Sequence, residues 1–364
     1  MNRHRLPLCI PNRHIAALGV LLMMMMTNRI GAASRPNFVF IVADDMGYAD
    51  CGVQGCSDVP TPNLNALATG GARFTNGYVT GTVCSPSRAS LMTGRYHYRD
   101  GVKDWIPPGK PGLNPSVPTI ATYLKQSGYE TGIVGKWHLG EDATCHPFQR
   151  GFNAFFGFLG GGRSYFPDKP TSPNQPVNHY TQVVRGNDPV PESEYLTSAF
   201  AREAVSFINT HRQHPFFLYL AFNAVHTPMQ PPAGEDRFAS IADPKRRAYA
   251  GMLASMDQAV GRVSEALQSA GLERNTFICF ISDNGGPITR NAPNASKNTP
   301  LRGGKGETWE GGIRVPFFVK WTGTIDAGKV IHQPVIQMDL TATTLELAGA
   351  QADPQWPIDG KNIM

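Results

Sequence analysis

The chain has 364 residues, of which 41% are hydrophobic and 10% aromatic, so it can bury a large core and is not an intrinsically disordered polypeptide. Its formal net charge of +5 is modest. Beyond Lys245-Arg246-Arg247, which we expect to be the solvated start of a helix, no basic run indicates a nucleic-acid partner.

Residues 1–33 have the pattern of a secretory signal peptide. Arginines precede an apolar stretch at Ile15–Met26, and Gly31-Ala32-Ala33 offers a small-residue cleavage site. The apolar stretch is short for a membrane-spanning helix, and no later segment is long enough to be one. We therefore expect an exported protein, periplasmic or secreted, with no membrane span after signal cleavage.

Four apolar, β-branched segments predict strands that are buried on both faces of a parallel sheet. They are Asn37–Ala43, Glu130–Gly135, Pro215–Phe222 and Thr276–Ile281. Each of the four leads into polar side chains, which in chain order are Asp44-Asp45, Lys136 and His138, His226, and Asp283-Asn284. Ligands of open α/β sheets bind outside the carboxyl ends of the strands, so these side chains predict one shared site.

The spacing of apolar residues predicts helices between these strands. One begins at Thr61-Pro62, and others cover Pro118–Gln126, Leu196–Thr210, Tyr249–Ser269 and Asp339–Gly349. Residues 151–195 are rich in glycine, proline and aromatic residues, so we expect a long irregular segment there that forms part of a pocket wall.

Six cysteines are present, and Cys9 would leave with the signal peptide. Cys51 and Cys56 are close enough in sequence to form a disulfide in an oxidising compartment. Cys279 lies in an apolar run and predicts a buried free thiol, whereas Cys145 is compatible with either state. No CxxC spacing indicates a zinc site.

The sixth cysteine, Cys84, lies in the segment Thr82-Val83-Cys84-Ser85-Pro86-Ser87-Arg88. Pro86 suits the first position of a helix that Gly94 can end. Cys84 would then lie at a helix N-terminus, one turn from Arg88, where a thiol has a lowered pKa. The alternative is a buried structural cysteine beside a helix.

The polar residues at the strand ends also have ordinary alternatives. Asp44 and Asp45 repel each other unless a positive charge lies between them, and a hard divalent cation would supply it. A helix cap or a turn is the alternative. Lys136 and His138 share one side if the strand geometry continues. Taken alone, they are compatible with surface residues, and His226 with a structural histidine.

The motif Cys84-x-Pro86-Ser87-Arg88, with Leu91-x-Thr93-Gly94-Arg95 behind it, resembles the signature of the type I (formylglycine-dependent) sulfatases of the alkaline-phosphatase superfamily. Further segments resemble other elements of that family. They are Asp44-Asp45-Met46-Gly47, Gly135-Lys136-Trp137-His138, His226-Thr227-Pro228 and the stretch from Arg302 to Pro316, in which Lys305 matches the family's active-site lysine. The resemblance runs in order from residue 36 to about residue 350.

The resemblance implies an α/β fold of the alkaline-phosphatase type, with a large mixed, mostly parallel sheet between helices. We expect the catalytic domain to cover residues 34–350. Family members continue into a smaller C-terminal subdomain. Residues 351–364 would be its start, so we expect that subdomain to be truncated in this chain.

The resemblance also implies the chemistry. A formylglycine-generating enzyme would oxidise Cys84 to Cα-formylglycine, whose hydrate carries two hydroxyls on one carbon. One hydroxyl attacks sulfur, and the other later expels sulfate. The implied cofactor is Ca²⁺, with Mg²⁺ less favoured, since hard oxygen ligands select these ions over zinc. The implied ligands are Asp44, Asp45, Asp283, Asn284 and the modified Cys84.

The remaining site residues have roles that the resemblance supplies. Arg88 would stabilise the formylglycine hydrate. Lys136, Lys305 and His226 would hold the sulfate group and help to protonate the leaving alcohol. His138 would take the proton from the second hydroxyl.

The implied function is hydrolysis of sulfate esters, either of sulfated carbohydrates or of aryl sulfates. One alternative is a phosphodiesterase or phosphonate hydrolase of the same superfamily. Another is a catalytically silent protein that binds sulfated glycans. The sequence leaves the natural substrate and the oligomeric state open.

Overall fold

A ten-stranded sheet is the centre of this chain in a computed structural model that describes Met1 and residues 35–166, 182–288 and 294–364. The predicted signal peptide, residues 1–33, lies outside the described residues apart from Met1. Within the described ranges, no helix combines the length and apolar character that a membrane span requires. The sheet and its helices belong to one unit, Pro36–Met364.

The strands follow the predicted apolar segments. In chain order they are β1 (Asn37–Ala43), β2 (Ala72–Phe74), β3 (Gly77–Tyr78), β4 (Glu130–Lys136), β5 (Ala154–Phe158), β6 (Val184–Arg185), β7 (Asp188–Pro189), β8 (Phe216–Ala221), β9 (Thr276–Ser282), β10 (Phe317–Lys320), β11 (Lys329–Ile331) and β12 (Val335–Ile336). The large sheet has the order β11-β2-β10-β9-β1-β8-β4-β5-β6-β7, and β12 pairs with β3. Neighbours from β9 to β5 are parallel, whereas β10 and β6 add antiparallel pairs. This mixed, mostly parallel sheet confirms the predicted fold.

The register of the central strands brings their carboxyl ends to one edge of the sheet. Val42 of β1 lies opposite Ala221 of β8, and Ala221 lies opposite Gly135 of β4. On the other side of β1, Ala43 lies opposite Ser282 of β9. The polar residues that follow each strand therefore emerge side by side, as the sequence predicts.

Helices cover both faces of the sheet. They are α1 (Pro62–Thr69), α2 (Cys84–Thr93), α3 (Ile120–Gln126), α4 (Leu196–Thr210), α5 (Pro244–Ser269), α6 (Glu310–Ile313) and α7 (Gln337–Ala348). Alternate residues of β1 enter two separate cores. Val39 and Ile41 pack with α4 and α5, whereas Phe38 and Phe40 pack with α2, α3 and α7. Burial on both faces explains why β1 is apolar along its whole length.

The ends of two helices differ from the prediction. α2 begins at Cys84 rather than at Pro86. α5 begins at Pro244 rather than at Tyr249, because the Asp243 side chain accepts a hydrogen bond from Lys245 N at 2.9 Å and caps the helix. The start of α5 is solvated only in part, since Lys245 is exposed whereas Arg246 is only 4% exposed and pairs with the buried Asp50.

Two predictions about loops and thiols are wrong in part. The segment 151–195 is not irregular throughout, because it contains β5 and the short strands β6 and β7; residues 167–181 lie outside the described residues. All five cysteines in the described part of the chain are free, so Cys51 and Cys56 form no disulfide. Cys56 Sγ instead donates to Asp58 Oδ1 at 3.2 Å. Cys279 is a buried free thiol, as predicted.

The last residues lie against the helices of the main unit. Arg95, just after α2, donates from NH1 to Pro357 O at 2.8 Å, and Asp359 accepts from Tyr96 N at 2.9 Å. Ile363 N donates to Thr343 Oγ1 of α7 at 3.0 Å. The boundary between residues 350 and 351 stays a prediction.

Candidate active site

The site is built on the backbone where β1, β8 and β9 end. Asp44 N donates to Ala224 O at 2.9 Å, and Val225 N returns a bond to Asp44 O at 2.7 Å. Asp283 N donates to Ala43 O at 3.0 Å. These bonds continue the strand pairing past the last residues of the sheet and fix the direction in which the acidic side chains leave it.

Two residues of the site have backbone angles that non-glycine residues rarely adopt. Asp45 has φ of 64° and His138 has φ of 55°. β4 ends at Lys136, so the strand geometry does not continue to His138, yet His138 is buried in the same site. Sparsely populated conformations persist where the surrounding structure imposes them, and they cluster at functional sites.

Lysine side chains neutralise the two adjacent aspartates. Lys136 Nζ lies 2.6 Å from Asp44 Oδ2 with both side chains fully buried. Lys305 Nζ lies 2.7 Å from Asp45 Oδ1. Burial alone would raise the pKa of Asp45, but the charges of Lys305 and His226 outweigh it and hold the pKa below its usual value. Asp45 is therefore present as a carboxylate.

Cys84 lies between these two pairs. Its Sγ donates to Asp44 Oδ1 at 3.6 Å, and Lys305 Nζ lies 3.5 Å from the same sulfur. Burial raises the pKa of Cys84 to about 12, although Lys136 and Lys305 act in the opposite direction. The predicted lowering of this pKa is wrong, because the desolvation of a 3% exposed thiol outweighs the helix N-terminus. An unmodified Cys84 is a neutral thiol and a poor nucleophile.

Arg88 links the Cys84 helix to β9. Its Nε and NH2 lie 3.0 and 2.9 Å from Asp283 Oδ2, and its NH1 donates to Lys136 O at 3.2 Å and to the Tyr219 hydroxyl at 3.4 Å. Burial and the nearby Asp44 charge raise the pKa of Asp283 to about 6, although Arg88 favours the carboxylate. The pKa of Arg88 is raised by Asp283 despite its burial.

Each histidine is held by one ring nitrogen. His138 Nε2 lies 3.2 Å from Ile106 O, and a carbonyl can only accept, so Nε2 carries the proton. His226 Nδ1 lies 2.7 Å from Thr227 O, and its Nε2 lies 3.7 Å from Asp45 Oδ2. Burial lowers the pKa of His226 to about 4 and holds that of His138 well below its usual value. Both rings are neutral at pH 7, with Nδ1 of His138 and Nε2 of His226 as acceptors.

The donor set fits a hard divalent cation. One ligand atom from each of Asp44, Asp45, Cys84 and His226 lies within 4.8 Å of the others. Asn284 Nδ2 donates to Asp45 Oδ1 at 2.7 Å, while its buried Oδ1 has no hydrogen-bond partner among the described residues. A buried oxygen acceptor beside a carboxylate is the kind of ligand that a hard divalent cation takes.

The predicted metal ligands differ in how well their positions suit a cation. Asp283 accepts from Asp45 N at 3.2 Å with Oδ1, and its Oδ2 is held by Arg88. Asp283 is also absent from the group of Asp44, Asp45, Cys84 and His226, whose ligand atoms lie within 4.8 Å of one another, so its role as a ligand stays a prediction. His226, which the sequence assigns to substrate, belongs to the cluster of possible ligands.

Several residues of the site escape sequence reasoning. The hydroxyl of Tyr219 contacts Arg88 from within β8. A Cβ on Gly161 would lie 2.6 Å from His138 Nε2, and one on Gly162 would lie 3.6 Å from His226 Cε1, so this loop lies directly on both rings. Asn223 is buried, and both atoms of its amide lack partners within the described ranges. Asn223 could have been predicted as a site residue from its position just after a buried strand. Tyr219 lies within the strand, and no local sequence pattern distinguishes it from the core residues around it.

The arrangement defines a class of enzyme. Three buried carboxylates and three cationic side chains surround one nucleophile position at the carboxyl edge of a parallel sheet. Fixed positive groups aimed at one point stabilise the negative charge that develops when an anionic ester is attacked. The fold and site therefore define a hydrolase of anionic esters with the alkaline-phosphatase type of α/β architecture.

Comparisons with known proteins identify the family. The sulfatase family profile matches residues 36–350. The chain is 36% identical over 373 residues to the N-acetylgalactosamine-6-sulfatase of Mus musculus, covering 96% of this chain and 68% of that protein. It is 38% identical over 338 residues to arylsulfatase J of Mus musculus, covering 91% of this chain and 55% of that protein. The chain belongs to the sulfatase family, and it is a sulfuric ester hydrolase.

A solved structure agrees with this assignment. The crystal structure of Ps i-CgsB in complex with k-i-k-neocarrahexaose superposes with a TM-score of 0.86 at 40% identity. The match covers 91% of this chain and 75% of that one. It confirms the predicted fold and the predicted family together.

Proposed function

We propose that this chain removes sulfate from a sulfated glycan, using a formylglycine hydrate made from Cys84 as the nucleophile. The observation that carries the proposal is the position of Cys84 Sγ, 3.6 Å from Asp44 Oδ1 and 3.5 Å from Lys305 Nζ. A neutral thiol in this place explains little, whereas a hydrated aldehyde there would lie against both a carboxylate and an ammonium group.

The cation that fits this site is Ca²⁺, with Mg²⁺ as the alternative. Asp44, Asp45, Asn284 and the modified Cys84 would hold it, with Asp283 behind them. Carboxylate and amide oxygens in irregular geometry suit Ca²⁺ better than Mg²⁺, which demands near-ideal octahedral ligands. When bound, the cation would lower the pKa of a hydroxyl and neutralise sulfate oxygens.

The chain's own residues supply binding and proton transfer. Lys136 and Lys305 would hold the sulfate oxygens, and Arg88 would stabilise the formylglycine hydrate and its charge. His138 would accept the proton of the second hydroxyl at Nδ1, which has no hydrogen-bond partner among the described residues. An anionic sulfate ester next to His226 would raise its pKa and favour the protonated form, which can donate to the leaving alcohol.

A glycan substrate is supported by the similar proteins. One relative is named for N-acetylgalactosamine 6-sulfate, and the solved structure described above contains a neocarrahexaose. We further propose that residues 1–33 direct export and that a formylglycine-generating enzyme modifies Cys84.

The test combines the mass of the Cys84 peptide with turnover of two aryl ester substrates. The tryptic peptide from Phe74 to Arg88 is weighed in protein from the native host, and turnover of 4-nitrophenyl sulfate and 4-nitrophenyl phosphate is measured on the same sample. We expect the formylglycine mass or its hydrate, and preference for the sulfate. Preference for the phosphate would favour a phosphoesterase or phosphonate hydrolase. An unmodified Cys84 with no turnover would favour a silent glycan binder.

A further inference from the structure

Two exposed tryptophans lie on loops that are bonded to either side of Cys84. Trp105 is 51% exposed and Trp309 is 48% exposed. Large apolar side chains at this level of exposure are few among the described residues, and neither ring contributes to the core. A large aromatic ring that is left about half exposed is informative when it lies beside a binding site.

The loop that carries Trp105 is hydrogen-bonded to the site through the following residue, Ile106. Ile106 N donates to Ser85 Oγ at 3.0 Å, and Ile106 O accepts from His138 Nε2 at 3.2 Å. Ser85 directly follows Cys84, so the backbone of this loop is tied to the nucleophile position and to a site histidine. Trp105 is therefore held one residue away from the site with its ring in solvent.

The Trp309 loop is fixed from the other side. It carries Lys305, and Gly306 N donates to Thr82 O at 2.9 Å, two residues before Cys84. Gly312 N donates to Trp309 O at 2.8 Å, which holds the tryptophan backbone in this loop. The same segment that neutralises Asp45 thus presents an indole ring to solvent.

Trp309 does not stand alone. The Arg302 guanidinium carbon lies 3.7 Å from the centre of the Trp309 ring. Arg302 is exposed and forms no ion pair within the described part of the chain. An exposed cation–π contact contributes only about 0.5–1 kcal/mol, so stability alone is a weak reason to keep this pair at the surface.

The chemistry of the two features is complementary to one kind of ligand. Indole rings stack against the apolar face of a sugar ring, and a guanidinium group forms paired hydrogen bonds with an oxyanion such as sulfate. We propose that Trp105 and the Arg302–Trp309 pair form a subsite for the sugar unit next to the one being hydrolysed, with Arg302 binding a second sulfate. The ligand is a multiply sulfated oligosaccharide. The inference deepens the proposed function and rests on it.

Kinetics on substrates of increasing length test the subsite. The substrates are 4-nitrophenyl sulfate, a sulfated monosaccharide and a sulfated hexasaccharide, in one carrageenan series and one chondroitin 6-sulfate series. The variants are Trp309→Ala, Arg302→Ala and Trp105→Ala, with Val330→Ala as the matched control, since Val330 is 47% exposed on β11.

We expect kcat/KM of the unchanged protein to rise from monosaccharide to hexasaccharide in one series by about tenfold, which corresponds to 1.4 kcal/mol. The three subsite variants should lose this rise through KM while they keep turnover of 4-nitrophenyl sulfate, and Val330→Ala should keep both. The inference is overturned if neither series shows a rise, or if the variants retain it.

A binding measurement separates this inference from the proposed function. In the Cys84→Ala background, calorimetry compares each hexasaccharide with its desulfated form. Binding that weakens about tenfold with Arg302→Ala only for the sulfated form supports the subsite even where turnover is absent. Equal binding by Arg302→Ala and its parent would refute the subsite while leaving the hydrolase untouched.

Discussion

The chain contains two buried clusters of charge next to each other, and they differ in how completely they are bonded. In the first cluster, around Arg246, Asp50 accepts from Arg246 at 2.7 Å, from the Tyr249 hydroxyl at 2.6 Å, and from the backbone N–H groups of Gly47 and Lys297 at 3.0 Å. Arg246 also binds Asp58 at 2.8 Å. Every polar side-chain atom of Asp50 and Arg246 has a partner.

The second cluster is the active site. Unlike the first, fully bonded cluster, which we call the closed cluster, it contains buried polar atoms without partners, and we call it the open cluster. Asn284 Oδ1, His138 Nδ1 and both amide atoms of Asn223 are buried without partners within the described residues. Leaving such a group unsatisfied costs about 1–3 kcal/mol. The comparison teaches that, of these two clusters, the fully bonded one has only structural partners, whereas the one with unpartnered donors and acceptors has room to bind a ligand.

The largest expected effect is on turnover. Cys84→Ala should lower kcat/KM for an aryl sulfate by at least about 10³-fold, because the hydrate that attacks sulfur cannot form. The melting temperature should change little, since a buried alanine leaves only a small gap. Activity assays and thermal melts on the same samples check this, and substantial residual turnover would contradict the proposed nucleophile.

Removal of the cation is the next way to test the open cluster. Dialysis against a chelator should abolish turnover, and added Ca²⁺ should restore it more effectively than Mg²⁺. A cation at 100 times its Kd would stabilise the fold by about 2.7 kcal/mol, which chelation should remove.

Asn284→Ala serves as the matched variant for the cation. It should need more Ca²⁺ for the same activity, because one oxygen ligand is missing. A chelated protein that keeps both its melting temperature and its turnover would contradict a bound cation.

Substitutions in the closed cluster around Arg246 should lower the free energy of unfolding rather than turnover. Arg246→Met leaves the buried Asp50 carboxylate without its cation and should lower the free energy of unfolding by about 3–5 kcal/mol. Turnover per folded molecule should largely survive. Tyr249→Phe, which removes one hydrogen bond to Asp50, is the milder control at about 1 kcal/mol. Urea unfolding measures both, and a catalytic defect without a stability loss would reverse the assignment of the two clusters.

The smallest effect is expected from a partly exposed cluster around Arg202 of α4. Arg202, whose side chain is 40% exposed, binds Glu192 at 2.6 Å and Glu203 at 3.1 Å. Burial would raise the pKa of Glu192, but Arg202 outweighs it and holds the pKa below 4.5. Its contribution is therefore present above pH 4.5 and is lost as the pH falls through the lower, folded-state pKa.

Arg202→Ala should cost about 0.5–1 kcal/mol at pH 7 and should flatten the loss of stability below pH 4.5. Urea unfolding at several pH values checks this prediction. Lys329→Ala removes a pair in which both side chains are more than half exposed and should be nearly neutral. A loss as large as that of Arg246→Met would show that exposure does not distinguish these clusters.

The sequence predicts the strands well because each β-branched run is buried on both faces, and it predicts the shared edge because parallel strands end together. β5 was missed because its five residues lie in a glycine-rich segment, where a short apolar run carries little periodicity. The resemblance to the sulfatases supplied the residues of the site, and the structure brings Cys84, Asp44, Asp45, Lys305 and His226 together.

The features that the sequence could not predict are those that arise from burial in the folded protein. The N-terminus of α2 suggests a low pKa for Cys84, but desolvation in the folded protein reverses the direction. Arg246 looked like a solvated residue because its partners, Asp50 and Asp58, are distant in sequence. Tertiary partners of this kind leave no local pattern.

The complete burial of α2 has a consequence for the order of events in the life of this protein. All ten residues of the helix are buried, and the Cys84 sulfur lies beneath a lysine. An enzyme that oxidises Cys84 would have to bind the surrounding chain. In the folded protein that chain is buried and is not accessible to another enzyme. On the proposed modification, oxidation of Cys84 would therefore precede folding, and a molecule that folds first would keep a buried, unmodified thiol.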